Sequence, residues 1–212
     1  MDERLTQLTV RSLVEQLASS DPAPGGGSAS AVAGAMGAAL LHMVVELTVG
    51  RAAAEGNETT LLEIKAAAVA WQSELVNLAE LDANAYEAVV RARRLPRQSE
   101  RERDTRDVQL GAAIREATRI PLAVARTASE VLDLAGRLAP IGNRNAISDV
   151  GVGGLLAVAS LRGAALNVQI NLPYVRADDE LRSEAADEVE RLTATVDDRD
   201  TALRNAVAER LR

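Results

Sequence analysis

The stretch DPAPGGGSASAVAGAMGAALLHMVVELTVG, residues 21–50, decides the fold of this chain. Its two prolines make the chain arrive extended, because proline fixes its own φ and disfavours the helical region for the residue before it. A glycine triplet follows, and then a run of small and apolar residues without a charged side chain until Glu46. The pattern predicts a buried helix with Ser28 or Ser30 as its N-cap.

Small residues recur on one side of this predicted helix. At 100° per residue that side comprises Gly27, Ser30, Gly34, Gly37, Leu41 and Thr48. Glycine inside a helix costs about 1 kcal/mol relative to alanine, so the stripe needs a geometric reason. One interpretation is tight packing against a second helix, with PGGG as a simple turn. The other is close approach of a ligand, since a glycine-rich loop at a helix N-terminus exposes backbone N–H groups suited to an anion.

The composition predicts an all-α protein. Nearly half of the 212 residues are hydrophobic (47%), yet there is no Phe and the aromatic residues are Trp71, Tyr86 and Tyr174 alone. Alanine, leucine, arginine and glutamate favour helices, whereas few residues suited to strands are present. We expect one helical domain over residues 1–212, with long central helices covered by outer helices.

Several classes of protein are excluded or disfavoured. The chain has no cysteine and one histidine, His42, which argues against disulfides and ordinary zinc sites, so no metal is expected. A net charge of −7 argues against nonspecific nucleic-acid binding. The N-terminus MDERLTQLTV lacks a secretion signal pattern, and Glu46 and the glycines make residues 21–50 a core helix rather than a membrane span. A cytoplasmic protein is expected.

Apolar periodicity predicts further helices. Their expected bounds are 9–19 (with Thr9 as N-cap), 58–94, 108–139, 146–172 and 178–211. Pro121 is expected to break or kink the fourth of these after Ile120. The charge-dense segment PRQSERERDTRD, residues 96–107, is expected at the surface, as a solvated helix start rather than a binding tail.

Asp82 is out of place in the helix predicted at 58–94. The apolar stripe of that helix comprises Ile64, Ala68, Trp71, Leu75, Leu78, Tyr86 and Val89. Asp82 follows Ile64 by 18 residues, about five turns, so it points from the centre of the stripe. Desolvation should raise the pKa of such a carboxyl group, which suits a general acid or base. The alternative is a structural carboxylate satisfied by a helix N-terminus or an arginine.

The helix predicted at 146–172 is apolar nearly all round but carries one polar and glycine line. Together with Asp149, the line comprises Asn145, Gly153, Ser160, Gly163, Asn167 and Asn171. Buried polar groups need hydrogen-bond partners, which a facing helix or a ligand can supply. On the helix within 21–50, His42 and Glu46 share a face and form either a proton-relay pair or a partly satisfied core pair.

Three stretches together resemble one family. They are residues 21–51, beginning DPAPGGGSASA, residues 81–90, LDANAYEAVV, and residues 142–172, beginning GNRNAISDVGV. The combination is similar to the cyclodeaminase/cyclohydrolase family, which includes the C-terminal domain of formimidoyltransferase-cyclodeaminase and stand-alone bacterial methenyltetrahydrofolate cyclohydrolases. The likeness is collinear over essentially the whole chain.

The resemblance implies an all-α homodimer with a folate-binding groove near the subunit interface, a tetrahydrofolate derivative as substrate and no separate cofactor. It implies Asp82 as the catalytic carboxylate. The residues it implies for substrate binding are Pro24, Gly25, Gly26, Gly27, Ser28, Asn143, Asn145, Ser148 and Asp149, with Asn167 added from the polar line. The chain departs from the family pattern at Glu46, at Ala52–Ala54 and at Gly153-Gly154. Arg51, Arg144, Arg93 and Arg94 remain as candidate partners for the folate glutamate.

The leading functional hypothesis is hydrolysis of 5,10-methenyltetrahydrofolate to 10-formyltetrahydrofolate, with Asp82 as acid or base. A sister hypothesis is cyclodeamination of 5-formimidoyltetrahydrofolate with release of ammonia. A hypothesis of another class is a noncatalytic folate-binding or scaffold relative. An assay with both substrates separates the three.

Overall fold

The computed structural model describes residues 4–50 and 54–212, and within them every regular element is helical. The α-helices are α1 (Val10–Leu17), α2 (Gly26–Glu46), α3 (Glu58–Arg93), α4 (Glu100–Leu138), α5 (Ile147–Asn171), α6 (Glu180–Ala194) and α7 (Val196–Leu211). Short 3₁₀ turns lie at Leu5–Gln7, Arg144–Ala146 and Leu172–Tyr174. The predicted all-α class is confirmed.

Helices α2 to α5 form a four-helix bundle. Helices α2 and α4 lie diagonally across it, and each packs against both α3 and α5. Helices α6 and α7 cover the outside of α4 and α5, as the expectation of outer helices required. The largest fully buried side chains belong to Leu41, Leu61, Ile64, Leu75, Leu132, Leu138, Ile147 and Leu161. Helix α1 carries no buried residue, although Thr9 caps it as predicted.

The small-residue side of α2 is a packing surface for α5. A Cβ built on Gly34 would lie 2.6 Å from Oγ of Ser160, and one on Gly37 would lie 2.8 Å from the carbonyl oxygen of Gly153. Such distances are well below van der Waals contact, so the two backbones approach as closely as they do only because these positions lack side chains. The predicted close approach of a second helix is confirmed.

The start of α2 differs from the prediction. The N-cap is Gly25, and no side chain caps the helix. Ser28 and Ser30 were therefore wrong as N-caps, because the helix begins inside the glycine triplet and both serines are already in it. Ser30 instead donates to the carbonyl oxygen of Gly26 at 2.7 Å.

Helix α4 starts within the charge-dense segment, which confirms the predicted solvated helix start, and it runs through its proline. Ser99 and Glu102 form a capping box, so the charge-dense segment from residue 100 onward is the first part of α4. Of the predicted break or kink at Pro121, the break is wrong, since the helix continues to Leu138, and the kink stays a prediction. Proline lacks the N–H that would bond the carbonyl of Ala117, four residues earlier, and Nδ2 of Asn171 donates to that carbonyl at 2.6 Å.

Two other details of the predicted helices are wrong. The single helix predicted at 178–211 is in fact two helices, because α6 ends at Ala194 and α7 begins at Val196. Arg199 of α7 donates to the carbonyl oxygen of Ser129 at 2.5 Å, which ties α7 to α4. Tyr86 lies 43% exposed rather than within the buried stripe of α3.

Two segments, Gly26–Glu46 and Arg144–Tyr174, are long and apolar enough to cross a membrane by length and composition. Half of the first window and 44% of the second are buried inside the protein. Core helices of globular proteins pass the same test, and α2 and α5 pack on each other along their length.

Candidate functional site

Asp82 points from α3 towards the N-terminus of α2. The hydroxyl of Ser28 donates to Oδ2 of Asp82 at 2.9 Å, and it also lies 3.1 Å from the carbonyl oxygen of Ala79. Ser28 is 1% exposed, whereas Asp82 is half-buried. The carboxylate is therefore held by a fixed hydroxyl while part of it stays accessible from outside the bundle.

The absence of a side chain at Gly27 leaves the space that the Asp82 carboxylate occupies. A Cβ at this position would lie 2.2 Å from Oδ1 and 2.6 Å from Cγ of Asp82. No side chain fits between α2 and the carboxylate, and the backbone of α2 forms the wall against which Asp82 rests. The third glycine of the triplet thus serves close approach to a functional side chain.

Burial raises the pKa of Asp82 above its usual value of 3.8, and hydrogen bonding from Ser28 opposes part of that rise. The neighbouring N-terminus of α2 presents backbone N–H groups of the first turn that no helical carbonyl accepts. The carboxyl group can therefore exchange a proton closer to neutral pH than an exposed aspartate does.

Four other predicted site residues lie beside Asp82. Pro24 is buried, and Gly25 and Gly26 continue the loop into α2. Asn167 of α5 reaches this end of α2, because a Cβ on Gly26 would lie 3.5 Å from its Nδ2. Nδ2 of Asn167 donates to the carbonyl oxygen of Gly163 at 2.8 Å. Helices α2, α3 and α5 thus meet at one group, which we call the Asp82 group: Pro24, Gly25, Gly26, Gly27, Ser28, Asp82 and Asn167.

The remaining predicted residues lie at the other end of α2. The backbone N–H of Asn143 donates to Oγ1 of Thr48 at 2.8 Å, and its Nδ2 donates to the carbonyl oxygen of Leu47 at 3.0 Å. Oδ1 of Asn143 accepts from the backbone N–H of Asn145 at 3.0 Å. The side chain of Asn143 is thus engaged in fixing the loop to α2. Asn145 and Ser148 are exposed and Asp149 is half-buried, and we call these three the Asp149 group.

Within one chain the two groups are far apart. Asp149 and Asn167 lie 18 positions apart on α5 (167 − 149), which is about 27 Å along a helix at 1.5 Å per residue. Since α2 and α5 run antiparallel, the Asp82 group and the Asp149 group sit at opposite ends of both helices. A single protomer does not bring all the predicted residues to one groove.

The rest of the polar line on α5 is structural. Ser160 is fully buried against Gly34, and Asn171 bonds the carbonyl that Pro121 leaves free. Of the alternatives left open for this line, a facing helix supplies the hydrogen-bond partner of Asn171, whereas the buried Oγ of Ser160 has no partner among the described residues.

Sequence reasoning missed Lys65 as a neighbour of Glu46. Nζ of Lys65 lies 2.5 Å from Oε1 of Glu46, and Nε2 of His42 lies 3.2 Å from the same atom. The lysine lowers the pKa of the Glu46 carboxyl group, with a smaller effect of His42. Because Lys65 comes from α3, no pattern within α2 could have indicated it.

A cleft of about 640 Å³ lies between α4, α6 and α7. Its lining includes Arg126, Glu130, Glu188, Arg191 and Arg199, and none of the predicted site residues. Of the arginines considered for the folate glutamate, Arg144 is exposed and donates to the carbonyl oxygen of Arg210. Arg93 lies over the ring of Tyr174 at 5.7 Å. Arg51 and the departures at Ala52 and Ala53 lie outside the described residues.

Comparison with known proteins identifies the family. The family model described as formiminotransferase-cyclodeaminase matches residues 9–191. The chain is 42% identical to methenyltetrahydrofolate cyclohydrolase of Methylorubrum extorquens over 77% of this chain and 78% of that protein. It is 33% identical to rat formimidoyltransferase-cyclodeaminase over 81% of this chain, and the match spans 32% of that longer protein.

The fold agrees. The crystal structure of formiminotetrahydrofolate cyclodeaminase from Thermotoga maritima superposes with a TM-score of 0.83 at 28% identity, covering 96% of this chain and 97% of the other. The family match spans the proline and glycine loop, Asp82 and the GNRNAISD segment alike. The chain belongs to the formiminotransferase-cyclodeaminase family.

Proposed function

We propose that this protein is an enzyme of folate one-carbon metabolism that hydrolyses 5,10-methenyltetrahydrofolate to 10-formyltetrahydrofolate. The observation that carries the proposal is the half-buried Asp82 carboxylate, held by Ser28 against the bare backbone of Gly27. The similarity to the Methylorubrum cyclohydrolase, which covers more than three quarters of both chains, supports the choice of reaction.

A single carboxylate is sufficient for the hydrolysis of the methenyl group. The substrate carries a delocalised cation over N5, the bridging carbon and N10, and an anionic Asp82 beside that carbon stabilises it electrostatically. Water attacks the bridging carbon and loses a proton to the Asp82 carboxylate. The bond from that carbon to N5 then breaks, N5 leaves with its electron pair and takes up the proton from Asp82, and the carbinol oxygen loses its remaining proton to solvent as the formyl C=O forms on N10. The balance is one water consumed and one proton released.

The surroundings of Asp82 suit this role. The raised pKa of Asp82 brings its proton affinity closer to that of a base working near neutral pH. The Asn167 side chain and the first-turn N–H groups of α2 supply polar groups for orienting the pterin ring and the attacking water. No cofactor beyond the folate is required by this scheme.

The decisive assay follows the absorbance of the methenyl group with purified protein. Decay faster than in buffer alone, lost in Asp82→Asn, supports the proposal. Glu87→Gln is the matched control, because Glu87 lies on the same helix, is exposed and, among the described residues, forms an ion pair with Arg91 alone. Equal activity of Asp82→Asn and wild type would overturn the role of Asp82. Folate binding without turnover in the wild type would identify a noncatalytic binding protein.

A second candidate reaction is cyclodeamination of 5-formimidoyltetrahydrofolate. The structural similarity to the Thermotoga cyclodeaminase favours it. Here N10 attacks the formimidoyl carbon and ammonia leaves, which requires an acid to protonate the departing nitrogen. A carboxyl group with a raised pKa, such as that of Asp82, is suited to donate that proton. Release of ammonia from the formimidoyl substrate, measured beside the methenyl assay, distinguishes the two reactions.

We further propose that the enzyme works as a cytoplasmic homodimer. The exposed apolar surface of α2 supports the dimer, and the buried sides of α2 and α5 support a protein outside the membrane. Light scattering of the purified protein measures the oligomeric state, and fractionation of cells measures the location.

A further inference from the structure

One arginine near the end of α7 holds the loop between α4 and α5. Through its two terminal nitrogens, the guanidinium of Arg210 donates to the carbonyl oxygens of Pro140 and Gly142, to the latter at 2.5 Å. Nε of Arg144 donates in return to the carbonyl oxygen of Arg210 at 2.9 Å. The loop and the end of α7 are therefore joined by three hydrogen bonds that run in both directions.

Arg210 is engaged differently from its neighbours on α7. Arg199 and Arg204 each pair with an aspartate, whereas the guanidinium of Arg210 forms no ion pair among the described residues. Nε of Arg210 is buried and has no hydrogen-bond partner in the described part of the chain. Its guanidinium is thus devoted to the two loop carbonyls. Because the guanidinium is planar, donation from two of its nitrogens fixes the orientation of the loop as well as its position.

Helix α2 holds the same loop from its other side. The backbone N–H of Asn143 donates to Oγ1 of Thr48 at 2.8 Å, and that hydroxyl donates to the carbonyl oxygen of Val44 at 2.6 Å. The backbone N–H of Gly142 donates to the carbonyl oxygen of Leu138, the last residue of α4, at 2.8 Å. The loop backbone is therefore fastened between α2 and α7 before it enters α5.

The polar side chains that follow this fastened backbone are free. The side chains of Asn145, Ser148 and Asp149, which make up the Asp149 group, form no hydrogen bond within residues 4–50 and 54–212. A fixed backbone that carries unengaged polar side chains is preorganised for binding, because little conformational entropy is then lost when a ligand is bound. The hold on the backbone therefore bears on what the Asp149 group can bind.

The same contacts also stabilise two helix ends. The carbonyl of Arg210 belongs to the last turn of α7, where carbonyls lack helical partners, and Arg144 supplies a donor to it. The positive charge of Arg210 lies beside carbonyls that directly follow α4, at the negative end of that helix dipole. Stability and positioning therefore have to be measured separately.

We propose that Arg210 is a positioning residue for the folate substrate, because from α7 it holds the loop in the arrangement in which the Asp149 group contacts that substrate. Helix α7 lies beyond residue 191, where the family match ends, so the resemblance assigns Arg210 no role. The role in binding rests on the proposed folate chemistry, whereas the hold of Arg210 on the loop does not. The two parts are therefore tested separately.

Steady-state kinetics with the methenyl substrate tests the role in binding. In Arg210→Ala the loop keeps the binding arrangement for only part of the time, and KM rises by the inverse of that fraction, about tenfold if the fraction is about one tenth. The value of kcat is expected to change little, since Asp82 lies at the other end of α2 from the loop. A variant that merely contains less folded protein shows the reverse, a lower apparent kcat at unchanged KM.

Arg204→Ala is the matched control. Arg204 lies on α7, is exposed and pairs with Asp200, four residues earlier on the same helix. Its loss removes a guanidinium from α7 without touching the loop, so KM is expected to equal that of the wild type. A KM raised equally in Arg204→Ala and Arg210→Ala would overturn the proposal, because it would show a general effect of α7.

Hydrogen exchange tests the hold on the loop without any substrate. In Arg210→Ala a peptide over residues 139–146 is expected to exchange faster than in the wild type, while peptides from α2 and α3 keep their rates and so show that the protein is folded. Where Arg210→Ala does not fold, a chain that ends after Glu209 takes its place, because it removes the same guanidinium from the exposed end of α7.

The opposite outcomes are equally clear. Unchanged exchange of the loop overturns the hold of Arg210. Faster exchange with unchanged KM overturns its role in binding, because the Asp149 group would then act outside the folate site. A wild type that turns over neither folate sinks the proposed function instead, while hydrogen exchange still decides whether Arg210 holds the loop.

Discussion

Gly27 and Asp82 are so close that a single methyl group on Gly27 would lie 2.2 Å from Oδ1 of Asp82. The hydrogen bond from Ser28 to Oδ2 holds the carboxylate in this position from the same turn of α2. The acid and the helix that forms its wall are therefore one geometric unit, and a change to either is expected to reach the other.

Gly27→Ala is expected to remove most of the activity. The new Cβ forces Asp82 to rotate or α2 to shift, and overpacking of this kind costs about 1–3 kcal/mol in the free energy of unfolding. Activity is expected to fall by more than the loss of folded protein accounts for, because the carboxylate is displaced. Denaturant unfolding and the methenyl assay measure the two effects.

Gly136→Ala is the control for that substitution. Gly136 lies in α4, and no packing neighbour in the described part of the chain comes within 4 Å of a built Cβ. The substitution should therefore stabilise the protein by up to about 1 kcal/mol and leave activity unchanged. A fully active Gly27→Ala variant would contradict the placement of Asp82.

Asp82→Asn is expected to stabilise the fold at neutral pH. Because the folded-state pKa of Asp82 is raised, the folded state binds a proton more tightly than the unfolded chain, and stability falls as pH rises from about 3.8 through the folded-state pKa. Because asparagine does not ionise, the Asp82→Asn variant lacks this loss of stability with rising pH. Thermal unfolding should therefore give a higher Tm for Asp82→Asn at pH 7 and no such gain below pH 3.8, where aspartate is protonated in both states.

Ser28→Ala is expected to shift the pH dependence of activity. The hydroxyl of Ser28 lowers the pKa of Asp82 against the effect of burial, so its removal raises that pKa further. If the ionised carboxylate is the base, the acid limb of the pH–rate profile moves to higher pH in Ser28→Ala. An unchanged acid limb would mean that another group titrates. Ser12→Ala, on the exposed helix α1, serves as the control.

Asn171→Leu is expected to destabilise the protein by about 1 kcal/mol, because it leaves the partly buried carbonyl of Ala117 without a donor. In a Pro121→Ala background the backbone N–H of residue 121 can bond that carbonyl, so the same substitution should cost less. A double-mutant cycle of unfolding free energies measures the coupling. Strict additivity would show that Asn171 does not compensate for the proline.

Gly37→Ala and Gly154→Ala should differ strongly in stability. A Cβ on Gly37 meets the backbone carbonyl of Gly153 at 2.8 Å, and the backbone cannot yield without separating α2 from α5. A Cβ on Gly154 meets mainly the tip of the Leu203 side chain, which can rotate away. We expect Gly37→Ala to cost about 1–3 kcal/mol and Gly154→Ala markedly less, as measured by denaturant unfolding. Equal costs would contradict the close contact of α2 with α5.

Much of the fold could be read from local patterns. Helix period, proline and glycine positions and polar lines depend on residues near one another in the chain, and they indicated α2, α3 and α5 within a few residues. They failed where a distant residue changed the outcome. The chain passes through Pro121 as helix because Asn171, 50 positions later, supplies the missing bond (171 − 121).

The sequence by itself determined the all-α class, the small-residue side of α2 and the anomalous carboxylate in an apolar stripe, since each follows from composition or period. Only the tertiary structure decided what those features meet: α5 for the glycines, the backbone of Gly27 for Asp82, and opposite ends of one bundle for the two groups of predicted site residues. The physical reason is that a local pattern does not determine the relative direction of two helices. A helical period fixes the angle at which a side chain leaves its axis, but the antiparallel course of α2 and α5 is set by packing between distant segments, and that course separates Asp82 from Asp149 within one chain.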